Sequence, residues 1–182
     1  MRVYLVRHGL TMENIKGTTN GGGSHGTLSK KGIRQAKAVA QKLKSKKIAA
    51  IYSSDLQRAM DTARYIANLH NLPVHHTKSL REMNYGPFEG HKFTPKAWRT
   101  LKTVFYDPKI KIKGVESFNE AHSRVHRFIA TVSRQHKNDE VVFVSHSGIS
   151  RIITATLREM PIEKVRKVPR LGNARIRYFR LD

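Results

Sequence analysis

The chain has 182 residues, 35 lysines and arginines against 13 aspartates and glutamates, and a formal net charge of +22. That length holds one domain with a buried core, and 38% hydrophobic residues are too many for a disordered tail and too few for a membrane protein. The absence of cysteine excludes a disulfide scaffold, a thiolate zinc site, an iron–sulfur cluster and a cysteine nucleophile. The charge leaves two kinds of partner: a polyanion such as nucleic acid, or small phosphorylated molecules.

Taken in chain order, Val3-Tyr4-Leu5-Val6 is a short apolar run that suits a strand buried on both faces. It is too short for a signal peptide, and no run approaches the roughly 18 apolar residues of a membrane span, so a cytoplasmic protein is expected. Lys16 to Thr27, with Gly17, Gly21, Gly22, Gly23 and Gly26, reads as a mobile loop. Helical spacing runs from Ser29 through Ile33, Ala36, Ala40 and Leu43, and Ile48 to Tyr52 reads as a second strand. Ser53-Ser54-Asp55 offers an N-cap for a helix to about His70, with Ala59, Ala63, Ile66 and Ala67 inward. Pro73 to His76 is a weaker strand.

Between residues 83 and 114, Gly86, Pro87, Gly90, Pro95 and Pro108 break any regular pattern. Phe118, Ala121, Val125, Phe128 and Val132 then step by three and four as a helix does. Val141 to Val144 is the best buried-strand signal, Gly148 to Glu159 reads as a helix after it, and Ala174 to Leu181 alternates like an edge strand. Strand–helix alternation without linker or repeat predicts one α/β domain over 1–182, a three-layer α/β/α sandwich with a mostly parallel sheet.

In such sheets ligands bind beyond the carboxyl ends of the strands. Arg7-His8-Gly9 comes directly after the first strand and Ser145-His146-Ser147-Gly148 after the strongest one, so the two histidines can converge. Arg58 lies one turn into the helix after Ser53-Ser54. Arginines, histidines and helix N-termini with unpaired N–H groups around one crevice describe a phosphate site. Without cysteine, a neutral imidazole is the nucleophile for phosphorus, and a carboxyl group after Leu80 can supply the acid. Ser147 is not in a Gly-x-Ser-x-Gly elbow. His25, His75, His76, His91, His122, His126 and His136 lack metal-ligand spacing, so neither metal nor cofactor is expected.

The ordered set Arg7-His8-Gly9 with Thr11 and Asn14, Ser53 to Ala59 with Thr62-Ala63, Leu80-Arg81-Glu82 with Gly86 and Phe88-Glu89-Gly90, Gly114 to Ser117, and Ser145 to Gly148 resembles the histidine phosphatase superfamily, in its phosphoglycerate-mutase-like branch. The resemblance covers residues 2 to about 181. It implies that His8 becomes a phosphohistidine, that Arg7 and Arg58 clamp the phosphoryl oxygens, and that His146 donates to the phosphoryl group. Asn14 and Ser147 fall among the substrate contacts. Glu82 takes the role of proton donor to the leaving oxygen and then base for water, which requires a carboxyl group that burial or the bound phosphate keeps protonated near neutral pH.

Departures from the pattern bear on substrate. Leu10 replaces the usual Glu or Gln, and Lys16 to Gly26 lacks the usual Arg and the Asp-x-Pro-Leu-Thr pattern, keeping only Thr27-Leu28-Ser29. The cap region, about 83–114, is short. The expected activity is hydrolysis of a small phosphorylated metabolite without metal. Two rivals stand beside it: a mutase sharing the His8 chemistry, and an inactive nucleic-acid binder acting through non-specific charge. The basic runs Lys42–Lys47, Lys109–Lys113 and Val165–Arg170 are expected to be solvated faces.

Overall fold

A computed structural model describes residues 1–24, 26–107 and 109–181. His25 in the glycine-rich loop, and Pro108 among the helix breakers, lie outside the described residues. Five strands, β1 (Arg2–Arg7), β2 (Ile48–Ser54), β3 (Val74–Thr77), β4 (Glu140–Ser145) and β5 (Ile176–Arg180), form one sheet in the order β3-β2-β4-β1-β5. The pairs β1–β4, β2–β4 and β2–β3 are parallel, and β5 runs antiparallel to β1 at the edge.

The period-two alternation of β1 and β4 separates two cores. Val3, Leu5, Val141 and Phe143 face one layer, whereas Tyr4, Val6, Val142 and Val144 face the other. Helices α2 (Lys30–Leu43) and α3 (Gln57–His70) cover the second face with Val39, Ala40, Leu43, Ala59, Ala63 and Ile66. Helices α5 (Phe118–Gln135) and α6 (Ile149–Leu157) cover the first with Phe118, Ala121, Val125, Ile129, Ile149, Ile152 and Ile153. The molecule is thus the expected α/β/α sandwich. Among the described residues no helix is long and apolar enough to cross a membrane.

Local chemistry explains where the elements begin. Ser29 caps α2 by accepting from the Gly32 amide, and Ser117 with Glu120 forms a reciprocal capping box on α5. Three expectations are corrected. Ser53 and Ser54 finish β2 rather than capping α3, which starts after Leu56 without a side-chain cap, while Asp55 pairs with Arg81 at 2.6 Å. On α5 it is Ile129 that is buried, with Phe128 half-buried against the rings of Tyr52 and Phe143. And the segment read as irregular contains α4 (Pro95–Tyr106), because Pro95 opens the helix behind a Thr94 cap rather than breaking one. Leu101, Val104 and Phe105 bury its inner face. A short helix, α1 (Met12–Lys16), precedes the glycine-rich loop.

The turn after β1 is pressed against α2. A Cβ on Gly9 would stand 2.5 Å from the carbonyl oxygen of Gly32, and one on Gly32 would overlap the Leu10 carbonyl oxygen. Only backbone without side chains fits at this crossing. It fixes where the chain leaves β1, and therefore where His8 sits.

Candidate active site

Parallel pairing of β1 with β4 puts Arg7 opposite Ser145, so the next residues, His8 and His146, leave adjacent strand ends together. Their ring centroids lie 5.1 Å apart, and both residues are buried. The His8 Nδ1 stands 2.7 Å from the Gly9 carbonyl oxygen. A carbonyl only accepts, so Nδ1 carries the proton and the neutral ring presents a lone pair at Nε2. Burial pushes the His8 pKa well below its ordinary value of 6.5, with Arg58 and then Arg7 adding to the effect and the Gly9 bond opposing it. The arginines help to keep His8 neutral, yet burial contributes more.

His146 has the opposite tautomer. Its Nδ1 accepts from Arg58 Nε at 3.2 Å, and an arginine can only donate. The proton of the neutral ring is therefore on Nε2, which is buried and has no hydrogen-bond partner. Burial, then Arg58, His8, Arg7 and Arg124 hold its pKa well below 6.5. Two buried neutral rings thus stand side by side, one with a free acceptor and one with a free donor.

Arg58 is fully buried, and burial lowers its pKa to about 10, so it remains charged at neutral pH. Besides His146, it donates to the carbonyl oxygens of Ser24 at 2.7 Å, Gly21 at 3.0 Å and Asn20 at 3.4 Å. The guanidinium therefore anchors the glycine-rich loop and fixes the His146 tautomer. Thr62, one turn along α3, accepts from the Gly9 amide at 3.1 Å and donates to the Arg58 carbonyl at 2.8 Å.

Glu82 is buried. Its Oε1 accepts from the amides of Met83 and Ile149, at 3.0 and 2.9 Å, and its Oε2 from the Gly148 amide at 2.8 Å. This corrects the expectation that the helix N-termini offer unpaired donors to an anion. At α6 the anion is Glu82 itself, the Gly9 amide is taken by Thr62, and the Leu56 amide goes to Ser54. Oε1 has both in-plane positions filled, whereas Oε2 keeps one open.

A cavity of about 260 Å³ is lined by Arg7, His8, Asn14, Glu82 and Ser147, so five of the predicted residues share one space. His146 and Arg58 do not line it; they stand behind His8. Arg7 donates from Nη1 to the Leu171 carbonyl at 3.0 Å, and its buried Nε has no partner. Asn14 accepts from Thr11 N and from Asn173 Nδ2, which leaves its own amide nitrogen for the cavity. Gly17 to Asn20 of the glycine-rich loop complete one side of the wall, and sequence reasoning missed Tyr85, Phe93, Trp98 and Arg170, which also line the cavity. Arg170 belongs to a basic run expected to be a solvated face, and Trp98 sits on α4, so neither carried a readable signal. Glu89 fixes the loop, accepting from the amides of Tyr85 at 2.9 Å and Gly23 at 3.1 Å.

Comparison with known proteins agrees along nearly the whole chain. An Arabidopsis thaliana phosphoglycerate mutase-like protein 4 is 32% identical, over 98% of this chain and 79% of its own length. An adenosylcobalamin/alpha-ribazole phosphatase of Escherichia coli is 31% identical over 90% of this chain and 82% of its own. A metal-independent phosphoserine phosphatase of Arabidopsis thaliana is 34% identical over 83% of this chain, which spans 66% of that protein. Among solved structures, a mycobacterial glucosyl-3-phosphoglycerate phosphatase with VO3 superposes with a TM-score of 0.87 at 27% identity, covering 97% of this chain and 91% of that one. The relatives include both phosphatases and mutase-like proteins, and the profile of one family runs from residue 3 to residue 182, through every strand and both helical layers. The chain belongs to the histidine phosphatase superfamily, branch 1.

Proposed function

We propose that the protein is a metal-independent phosphatase that hydrolyses a small phosphate monoester through a phosphohistidine on His8. The observation that carries this reading is the complementary pair of buried imidazoles, their centroids 5.1 Å apart, with a lone pair on His8 Nε2 and an unpartnered N–H on His146 Nε2. A lone pair suits attack on phosphorus, and a preorganised donor suits the charge that develops on the phosphoryl oxygens. Phosphatases among the relatives, phosphoserine and alpha-ribazole enzymes included, support the same class.

In the first step a bond forms between His8 Nε2 and phosphorus while the ester P–O bond breaks, and the leaving oxygen takes a proton from Glu82. With the ester bound, the open position on Oε2 is the one available to carry that proton. In the second step Glu82 takes a proton from water as the water oxygen attacks the phosphohistidine, releasing phosphate and neutral His8. Arg7 and the amide of Asn14 bind phosphoryl oxygens from the cavity side. Arg58 joins them as the carbonyls of Asn20, Gly21 and Ser24 give way to the entering ester, and Ser147 borders the same space.

The test is phosphate release from an aryl phosphate in EDTA. The purified protein turns over under these conditions, and His8→Ala abolishes both turnover and labelling by a ³²P ester. Glu82→Gln lowers turnover by about 10²–10⁴-fold while leaving vanadate binding in place. Full activity in His8→Ala refutes the mechanism. Interconversion of phosphoglycerate isomers without phosphate release replaces the phosphatase reading with the mutase one.

A further inference from the structure

Next to the cavity that holds His8, and sharing Phe93, Trp98 and Arg170 with it, lies a groove of about 1130 Å³. Five cationic side chains line it, Arg99 and Lys102 from α4, Arg151 from α6, and Arg166 and Arg170 from the segment after it, against one acid, Asp107. In a chain of net charge +22 a basic surface is common. Three features bear on what this one binds.

First, its cations lack acidic partners. On the other side of Glu82, a second depression contains Arg81 and Arg124, and both are neutralised, by Asp55 and Glu116 at 2.6 Å each. Among the described residues none of the five groove cations makes an ion pair, and Asp107 instead accepts from the Lys109 amide at 2.9 Å. Second, two of the five are held in place. The Arg170 guanidinium lies 4.8 Å from the Trp98 ring centre, and Arg151 donates to the carbonyls of Val168 and Val165 at 2.8 and 2.9 Å. Cations fixed by neutral groups keep their charge for a ligand and have lost part of their side-chain freedom beforehand. Third, Trp98 is already covered by Arg170, with Lys102 Nζ 5.7 Å from the same ring. The Trp98 face is therefore taken by cations rather than left bare for base stacking, while Phe93 and Tyr106 are the exposed rings of the groove.

We propose that this groove is a subsite for a second phosphate on the leaving-group side of the substrate, so that the substrates are small molecules bearing two separated phosphate groups, one of which is transferred to His8. The transferred phosphate occupies the small cavity, and the retained one is bound by Arg170 together with Arg99, Lys102, Arg166 or Arg151. This assignment rests on the phosphatase reading of His8 for turnover, though not for binding.

The experiment compares 1,6-hexanediol bisphosphate with hexyl phosphate, which share a carbon chain and differ in the second anion. Calorimetric binding is measured beside kcat/KM, so a protein that fails to hydrolyse either compound, and so refutes the phosphatase reading, still tests the subsite. The expected advantage of the bisphosphate is about 10- to 100-fold in both readouts. In the Arg99→Gln/Arg166→Gln variant, whose substitutions are exposed, the advantage falls toward the statistical factor of about two that two equivalent phosphates give. Arg34→Gln, an exposed cation on α2, leaves it unchanged. A wild-type advantage of about two, or an equal fall in Arg34→Gln, overturns the subsite. Preferential turnover of a 5′-phosphorylated oligonucleotide over the bisphosphate overturns the small-molecule class.

Discussion

Removing the two imidazoles tests the electrostatics of the site through folding stability. His8 and His146 are both buried, and both have pKa values well below 6.5 in the folded protein. In the unfolded chain each titrates near 6.5, so below that pH the unfolded state binds protons that the native state refuses. Their contribution is therefore fully present above about pH 7.5 and is lost as the pH falls. To the extent that the native rings stay neutral at pH 5.5, each histidine destabilises the fold by up to about 1 kcal/mol relative to neutral pH, and the pair by up to about 2–3 kcal/mol. That is a large part of the roughly 5–15 kcal/mol that separates folded from unfolded states. Asp55 and Glu120, whose pKa values are lowered through Arg81 and Ser117, lose their contributions only below 3.8 and 4.5, outside this window. The assay is urea denaturation of the wild type and of His8→Gln/His146→Gln at pH 7.5, 6.5 and 5.5. The wild type should lose about 2–3 kcal/mol more than the variant across the range. Parallel curves refute the claim that the native rings resist protonation.

Two further substitutions address other parts of the construction. Arg58→Met removes the second-largest influence lowering the His8 pKa and the donor that sets the His146 tautomer; kcat/KM should fall about 10²–10³-fold. Because the nucleophile must be neutral and its pKa rises toward 6.5, the acid limb of the pH–rate profile should move to higher pH, and an unmoved limb contradicts the assignment. Gly32→Ala places a methyl group on the Leu10 carbonyl oxygen. It should cost about 1–3 kcal/mol and lower Tm by about 2–4 °C per kcal/mol in a thermal scan, whereas an unchanged Tm means that α2 and the His8 turn are not locked together.

The sandwich and its strand-end histidines were legible because the strands that carry them are buried on both faces. Val3–Val6 and Val141–Val144 are continuous apolar runs, and the residues immediately past such a run in a parallel sheet lie at the ligand-binding edge. Helix α4 was not legible because its proline had two meanings, and only the Thr94 cap distinguishes a first-turn proline from a breaker. The donors at the α6 N-terminus were predicted, but not their partner, since nothing in the local sequence shows that Glu82 reaches across 66 residues to occupy them. Arg170 escaped notice for a similar reason: a charge in a basic run becomes specific only when Trp98, from a distant helix, lies against it.

The grip of Gly148 and Ile149 on Glu82 has a consequence for how this site can diversify. The turn between β4 and α6 carries His146 covalently and clasps Glu82, so the hydrogen-bond donor and the acid of the proposed reaction are held by one turn. The stretch from Asn84 to Gly114 leaves that clasp, holds the glycine-rich loop through Glu89, and then carries Trp98 and Arg99 on α4, which takes no part in the clasp itself. Changes on α4 therefore reach the cavity wall at Trp98 without touching the hydrogen bonds that hold Glu82. On the proposed mechanism the alcohol portion of the ester can then change while the reaction stays the same, and α4 is the place to engineer it.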